Sequence, residues 1–92
     1  MKTLKELDQV KIHSIQDKIF GVTFNDPDLG SDFFYEIYVC VPAGHSKPGA
    51  VYEEIKGLQT MKIASKGSFQ TRGYAFQNMV QHIDELIRKA KS

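Results

Sequence analysis

The run Phe33-Phe34-Tyr35-Glu36-Ile37-Tyr38-Val39-Cys40-Val41 constrains this chain more than any other segment. It is rich in β-branched and aromatic residues and stops at Pro42, so it reads as a strand. Successive side chains point to opposite faces of a strand. Phe33, Tyr35, Ile37, Val39 and Val41 therefore share one apolar face, and Phe34, Glu36, Tyr38 and Cys40 share the other. The first face needs a cover. The second sets a carboxylate between two aromatic rings.

The cover for the first face lies at the C-terminal end. Phe69, Gly73, Phe76, Val80, Ile83, Ile87 and Ala90 recur at steps of three or four, and Met79 and Leu86 widen the stripe. This spacing predicts an amphipathic helix from about Phe69 to Ala90 packed on a sheet. Ser68 is its candidate N-cap. Gly73 inside it costs about 1 kcal/mol relative to Ala, unless it lets the helix approach the sheet closely. Arg88, Lys89 and Lys91 suit the last turn, where the helix dipole favours cations.

Ile19–Phe24 reads as a second strand, ended by the turn cluster Asn25-Asp26-Pro27-Asp28. Residues 51–65 read as one long strand or as two strands broken near Gly57, with a bulge there to explain a change of phase. Residues 2–10 fit a short helix with Leu4, Leu7 and Val10 on one face, and Ile12–Ile15 reads as extended or irregular. Together these predict an α+β domain, an antiparallel sheet with one long C-terminal helix on one face. With 92 residues, one domain spans 1–92, as a lead-in over 1–17 and a core over 18–92. A core this small makes oligomerisation a natural supplement.

Charge narrows the partners. The net charge is +1 and there is no Lys/Arg run, so direct nucleic-acid binding has little electrostatic support. The longest apolar runs fall short of a membrane span, and the first residues lack the apolar core of a signal peptide. Cys40 is the only cysteine, which suits a reducing compartment. A cytoplasmic protein is expected.

Glu36 is the first candidate for chemistry. One reading is a pocket with aromatic walls and a buried acid. Phe34 and Tyr38 would flank the acid, and Phe20, Phe24 and Tyr52 on neighbouring strands would line the same space. Such a site suits a cationic or amine-bearing aromatic ligand, through charge and cation–π attraction. The other reading is a solvated strand face with Glu36 in water. His13, His45 and His82 show no metal-ligand spacing with Cys40 or one another, so neither metal nor cofactor is expected. Cys40 in an apolar strand reads as a small buried hydrophobe. Lys66-Gly67-Ser68 lacks the upstream glycine of a phosphate-binding loop. Glu53 and Glu54 are adjacent on a strand and point apart, which makes them no acid/base pair.

Several segments resemble a known family. Ile19-Phe20-Gly21-Val22-Thr23-Phe24-Asn25-Asp26-Pro27 resembles the aromatic strand and Asp-Pro turn of the gyrase-inhibitor-like superfamily. That superfamily includes effector-binding domains of bacterial transcription regulators. Tyr35-Glu36-Ile37-Tyr38-Val39 resembles its acid-bearing strand. Met61-Lys62-Ile63-Ala64-Ser65-Lys66-Gly67-Ser68-Phe69 is similar to its strand-to-helix junction, and Tyr74-Ala75-Phe76 to the start of its helix. The resemblance implies a strand-helix-strand-strand unit, normally present twice with the ligand cleft between the copies. This chain holds about one unit and no helix-turn-helix. It implies a homodimer that rebuilds the full cleft, with Glu36 as the ligand's polar anchor and Phe34 and Tyr38 as walls. Three functions follow, in this order: a small-molecule-binding regulatory module without its own DNA-binding domain, a protein-interaction or inhibitor module acting on a DNA-processing enzyme or regulator, and a small-molecule hydrolase using Glu36.

Overall fold

Five strands and a helix follow one another in the computed structural model, which describes residues 4–16 and 18–91. The strands are β1 Asp8–Gln16, β2 Ile19–Asn25, β3 Phe33–Cys40, β4 Tyr52–Ile55 and β5 Leu58–Phe69, and the helix is α1 Arg72–Lys91. They form one antiparallel sheet in the order β1-β2-β3-β5-β4, with α1 against one face. The fold is α+β, with the long C-terminal helix on the sheet as the periodicity predicts. Between β2 and β3 stands only a 3-10 turn, Pro27–Leu29. The strand-helix-strand-strand order implied by the resemblance is therefore not the order of the described elements. None of the described helices is long and apolar enough to cross a membrane.

The face of β3 bearing Tyr35 and Ile37 packs on Met79 and Ile83 of α1, and all four are fully buried. Burying each such side chain is worth about 1.5–3 kcal/mol, so this contact holds the helix. Ala75, Met79 and Ile83 are the buried line of α1, at steps of four. Gly73 is exposed and does not lie on that line, contrary to expectation. The close approach is made from the sheet instead. A Cβ on Gly21 of β2 would stand 2.3 Å from Met79 Sδ. The helix starts at Arg72 rather than Phe69, because Phe69 still pairs with Phe33 at the end of β5. Thr71, not Ser68, caps it, its Oγ1 accepting from Tyr74 N at 3.2 Å.

The opposite face is also covered. Phe20, Val22, Phe24 and Tyr38 form a second core there with Ile55, and Leu4, Leu7 and Val10 pack onto it. The helix expected over residues 2–10 is not formed. Residues 2 and 3 lie outside the described residues, Leu4–Glu6 is a 3-10 turn, and β1 begins at Asp8. Pairing with β2 supplies β1 with the hydrogen bonds that so short a helix could not hold on its own. Leu4, Leu7 and Val10 still act together, as a lid segment. Glu53 Oε2 ties that segment down by accepting from Leu4 N at 2.7 Å.

Gly57 marks a hairpin rather than a bulge. Ile55 pairs with Leu58 across Lys56 and Gly57, whose φ values of 52° and 80° are the two left-handed positions of a type I′ turn. The change of phase lies further on. Ile37 pairs with Ala64 but Tyr38 pairs with Lys62, so Ile63 is the extra residue of a bulge in β5. Further register shifts occur in β1 and near Phe33. Such bulges bend strands, and the sheet curls.

The two glycines give opposite expectations. Gly21→Ala should lower the unfolding free energy by about 1–3 kcal/mol, because buried Met79 must be displaced. Gly73→Ala should raise it by about 0.5–1 kcal/mol, because the position is helical and open. Urea denaturation of both variants checks the pair.

Candidate functional site

The curled face of the sheet away from α1 carries a cleft of about 390 Å³. Phe24, Phe34, Leu7 and Leu29 supply its apolar lining, Glu36 and Lys62 an ion pair, and Asp26, Ser65 and Lys66 further polar groups. Each wall has a local cause. Phe24 and Phe34 are cross-strand partners, and their rings stack at 5.8 Å with an 18° tilt. Phe34 also pairs with Gly67 of β5, and its ring occupies the space where a Gly67 side chain would stand. An aromatic ring over a glycine in this way closes a weak spot in a sheet. Leu29 sits at the rim, 62% exposed, on the 3-10 turn. That turn is held by Asp26 Oδ1, which accepts from Asp28 N at 3.0 Å. Buried Asn25 secures the loop behind it, its Nδ2 donating to Gly30 O and Asp32 O at 3.0 and 2.8 Å.

Glu36 is only 9% exposed, so the solvated-face reading does not describe it. Its Oε1 accepts from Tyr38 Oη at 2.6 Å, and its Oε2 meets Lys62 Nζ at 3.2 Å. The bulge at Ile63 is what makes the second contact. It lets Lys62 face the cleft while Ala64, two residues on, packs towards α1. Tyr38 is buried, and burial above all, then its bond to the Glu36 carboxylate, pushes its phenol far up from the usual range. It therefore stays protonated and donates.

The six expected site residues divide by position. Glu36, Phe34 and Phe24 line the cleft. Tyr38 and Phe20 lie on the same sheet face but in the core behind it, Tyr38 reaching the site only through its hydroxyl. Tyr52 is on the other face. It pairs with Met61, which pairs with Val39 of the helix-side row, and its hydroxyl bonds His45 Nδ1 at 2.9 Å. The register that the Gly57 hairpin sets for the short β4 puts it there. Lys62, Leu7 and Leu29 are among the lining residues that strand alternation alone does not reveal. Lys62 depends on the bulge, and the other two on how the segments flanking β1 and β2 fold back. Cys40 is half-buried rather than fully buried. Among the described residues, no group of three or more His, Cys, Asp or Glu side chains could hold a metal.

The chain matches no family model, and no curated protein or solved structure was found to match it.

Removing either partner of Glu36 leaves its carboxylate under-satisfied. Lys62→Met and Tyr38→Phe are each expected to cost about 1–3 kcal/mol, below the figure for a fully buried pair because both ends of the ion pair keep some solvent. The double variant should lose less than the sum by at least about 0.5 kcal/mol, since the two share one carboxylate. A denaturation cycle on the four proteins measures this.

Proposed function

We propose that this chain is a small-molecule-binding module, with the ligand seated in the cleft between the Phe24–Phe34 stack and the Glu36–Lys62 pair. One observation carries the reading: a cavity of about 390 Å³ joins an apolar lining to a largely buried ion pair. Ligand sites are of this kind, mostly apolar with few, fixed polar groups. The sequence resemblance to effector-binding domains, although the order of elements differs, is the ground for a regulatory role, and the single cysteine suits a reducing, cytoplasmic setting.

Lys62 alters the ligand chemistry that a lone Glu36 would select. The pair offers an acceptor and a donor side by side. A flat apolar body with a neutral polar or zwitterionic head satisfies both, whereas a simple cation must compete with Lys62. Hydrolysis is the weaker reading. Both Glu36 oxygens are engaged and Tyr38 holds its proton, so the group is arranged to hold a polar head rather than to abstract a proton. The homodimer belongs to the same proposal. β4 pairs only with Leu58–Met61, and the rest of β5 borders the cleft, where a second copy would add a wall. Light scattering at micromolar concentration tests that part, and a strict monomer removes it.

A thermal-shift screen of aromatic amines, aromatic amino acids and lipophilic dyes tests the site. At about ten times its Kd a ligand adds about 1.4 kcal/mol of stability, and a domain of this size should then melt about 5–10 °C higher. A hit lost in both Glu36→Gln and Gly67→Ala, the latter displacing the Phe34 ring, supports the cleft. A hit indifferent to both places the ligand elsewhere. No hit with all three proteins folded moves the function to protein interaction.

A further inference from the structure

A second cavity, of about 300 Å³, lies on the helix side of the sheet. Lys11 and His13 of β1 and Arg72, Gly73 and Phe76 of α1 line it. Its position opposite to the Glu36 cleft follows from register. Lys11 and His13 pair with Thr23 and Gly21, the row of β2 that faces α1. Three basic side chains thus converge, and no carboxylate is among the lining residues.

Each basic group is placed by a specific contact. Arg72 Nη1 donates to Thr23 Oγ1 at 2.9 Å and lies near Thr23 O at 3.3 Å, Nη2 donates to Gln9 O at 2.6 Å, and the guanidinium sits 5.0 Å above the Phe33 ring. Gln9 is in the bulged part of β1 with φ 51°, a left-handed conformation that a residue with a side chain seldom adopts. The bulge presents its carbonyl to Arg72. His13 Nε2 bonds Thr23 Oγ1 at 3.0 Å, and its ring lies 4.8 Å from Phe76. Among the described residues, His13 Nδ1 has no protein partner, and it is not a buried unsatisfied atom, so it is open to solvent. Lys11 Nζ also has no hydrogen-bond or ion-pair partner among them.

We infer that Lys11, His13 and Arg72 form a binding site for a small organic anion, whose oxyanion head meets the three basic groups and whose flat apolar body lies on Phe76. Fixed donors around a charged oxygen make strong hydrogen bonds, and guanidinium and ammonium groups are suited to it. The local field agrees with this assignment. Burial first, then Lys11 and Arg72, hold the His13 imidazole below its ordinary value. From β2 only the uncharged Thr23 and Gly21 face it. An anion relieves this crowding of positive charge and should raise the His13 titration midpoint as it binds. Arg72 is also the clamp that ties the start of α1 to β1 and β2, so the site is built on rigid elements. Nothing in this inference depends on the Glu36 cleft.

Phenyl phosphate is the probe, titrated into the protein with amide and histidine NMR signals as the readout. Saturable shifts are expected at Lys11, His13, Gly73 and Phe76, together with a rise of the His13 midpoint. Lys11→Gln, an exposed change that breaks no contact, should weaken binding about fivefold or more, as the loss of one charged contact does. Lys47→Gln, remote from this cavity, should leave it unchanged. The inference is overturned by unsaturable or absent shifts at those four residues, or by an equal loss in Lys47→Gln. Shifts confined to Glu36, Lys62 and their neighbours would overturn it too, while supporting the cleft. Gly67→Ala should abolish ligand binding in the cleft and leave phenyl phosphate binding intact.

Discussion

A carboxylate in the middle of the central strand cannot leave water without a counter-charge, and Glu36 has one in Lys62. The balance is close. Attraction at this distance amounts to about 5 kcal/mol at an effective dielectric near 20, and desolvation removes several kcal/mol for each ion. The pair therefore contributes little net stability, and its effect is on register. Only with the extra residue Ile63 does Lys62 reach the carboxylate while Met61 and Ala64 keep to the helix side. A slip of one residue would turn every side chain of β5 to the wrong face. The Tyr38 hydroxyl takes up the remaining oxygen and joins the cleft to the core behind it.

The two faces of the sheet solve their packing in the same way. On the helix side Gly21 makes room for Met79, and on the cleft side Gly67 makes room for the Phe34 ring. In each case a missing side chain on one strand seats a large one from elsewhere. The first brings α1 close enough for Tyr35 and Ile37 to be fully buried. The second holds one wall of the cleft in place against Phe24. The small core is thus split into two layers, and the N-terminal segment is needed to close the second. Glu53 anchors that segment from β4, near the far edge of the sheet.

Arg72 ties the helix to the sheet at the other end. It reaches past β2 to a bulged carbonyl on β1 and fixes where the helix begins. The periodicity of the last third of the chain extends back to Phe69, but the helix yields there to strand pairing with Phe33. Ser68 cannot cap a helix that starts four residues later, and Thr71 does so. The bulge near Gln9 has no glycine to signal it. A non-glycine residue at positive φ leaves no mark in composition.

The sequence by itself determined β2, β3 and α1, their polarity and the α+β class. Local alternation and helical spacing are properties of neighbouring residues, and those residues carry them wherever the segment packs. It also determined that Phe34, Glu36 and Tyr38 share a face. Tertiary structure alone decided what that face meets. The partner of Glu36 comes from a residue 26 positions away across a bulge, and the lid comes from a segment whose apolar spacing fits a helix and whose hydrogen bonds make a strand. Tyr52 is on the wrong face for the cleft because the register of a short edge strand is set by its hairpin. The convergence of Lys11, His13 and Arg72 is likewise a matter of register and of where the helix starts. Pairing, bulges and chain reversal join residues distant along the chain, and no local pattern encodes their sum.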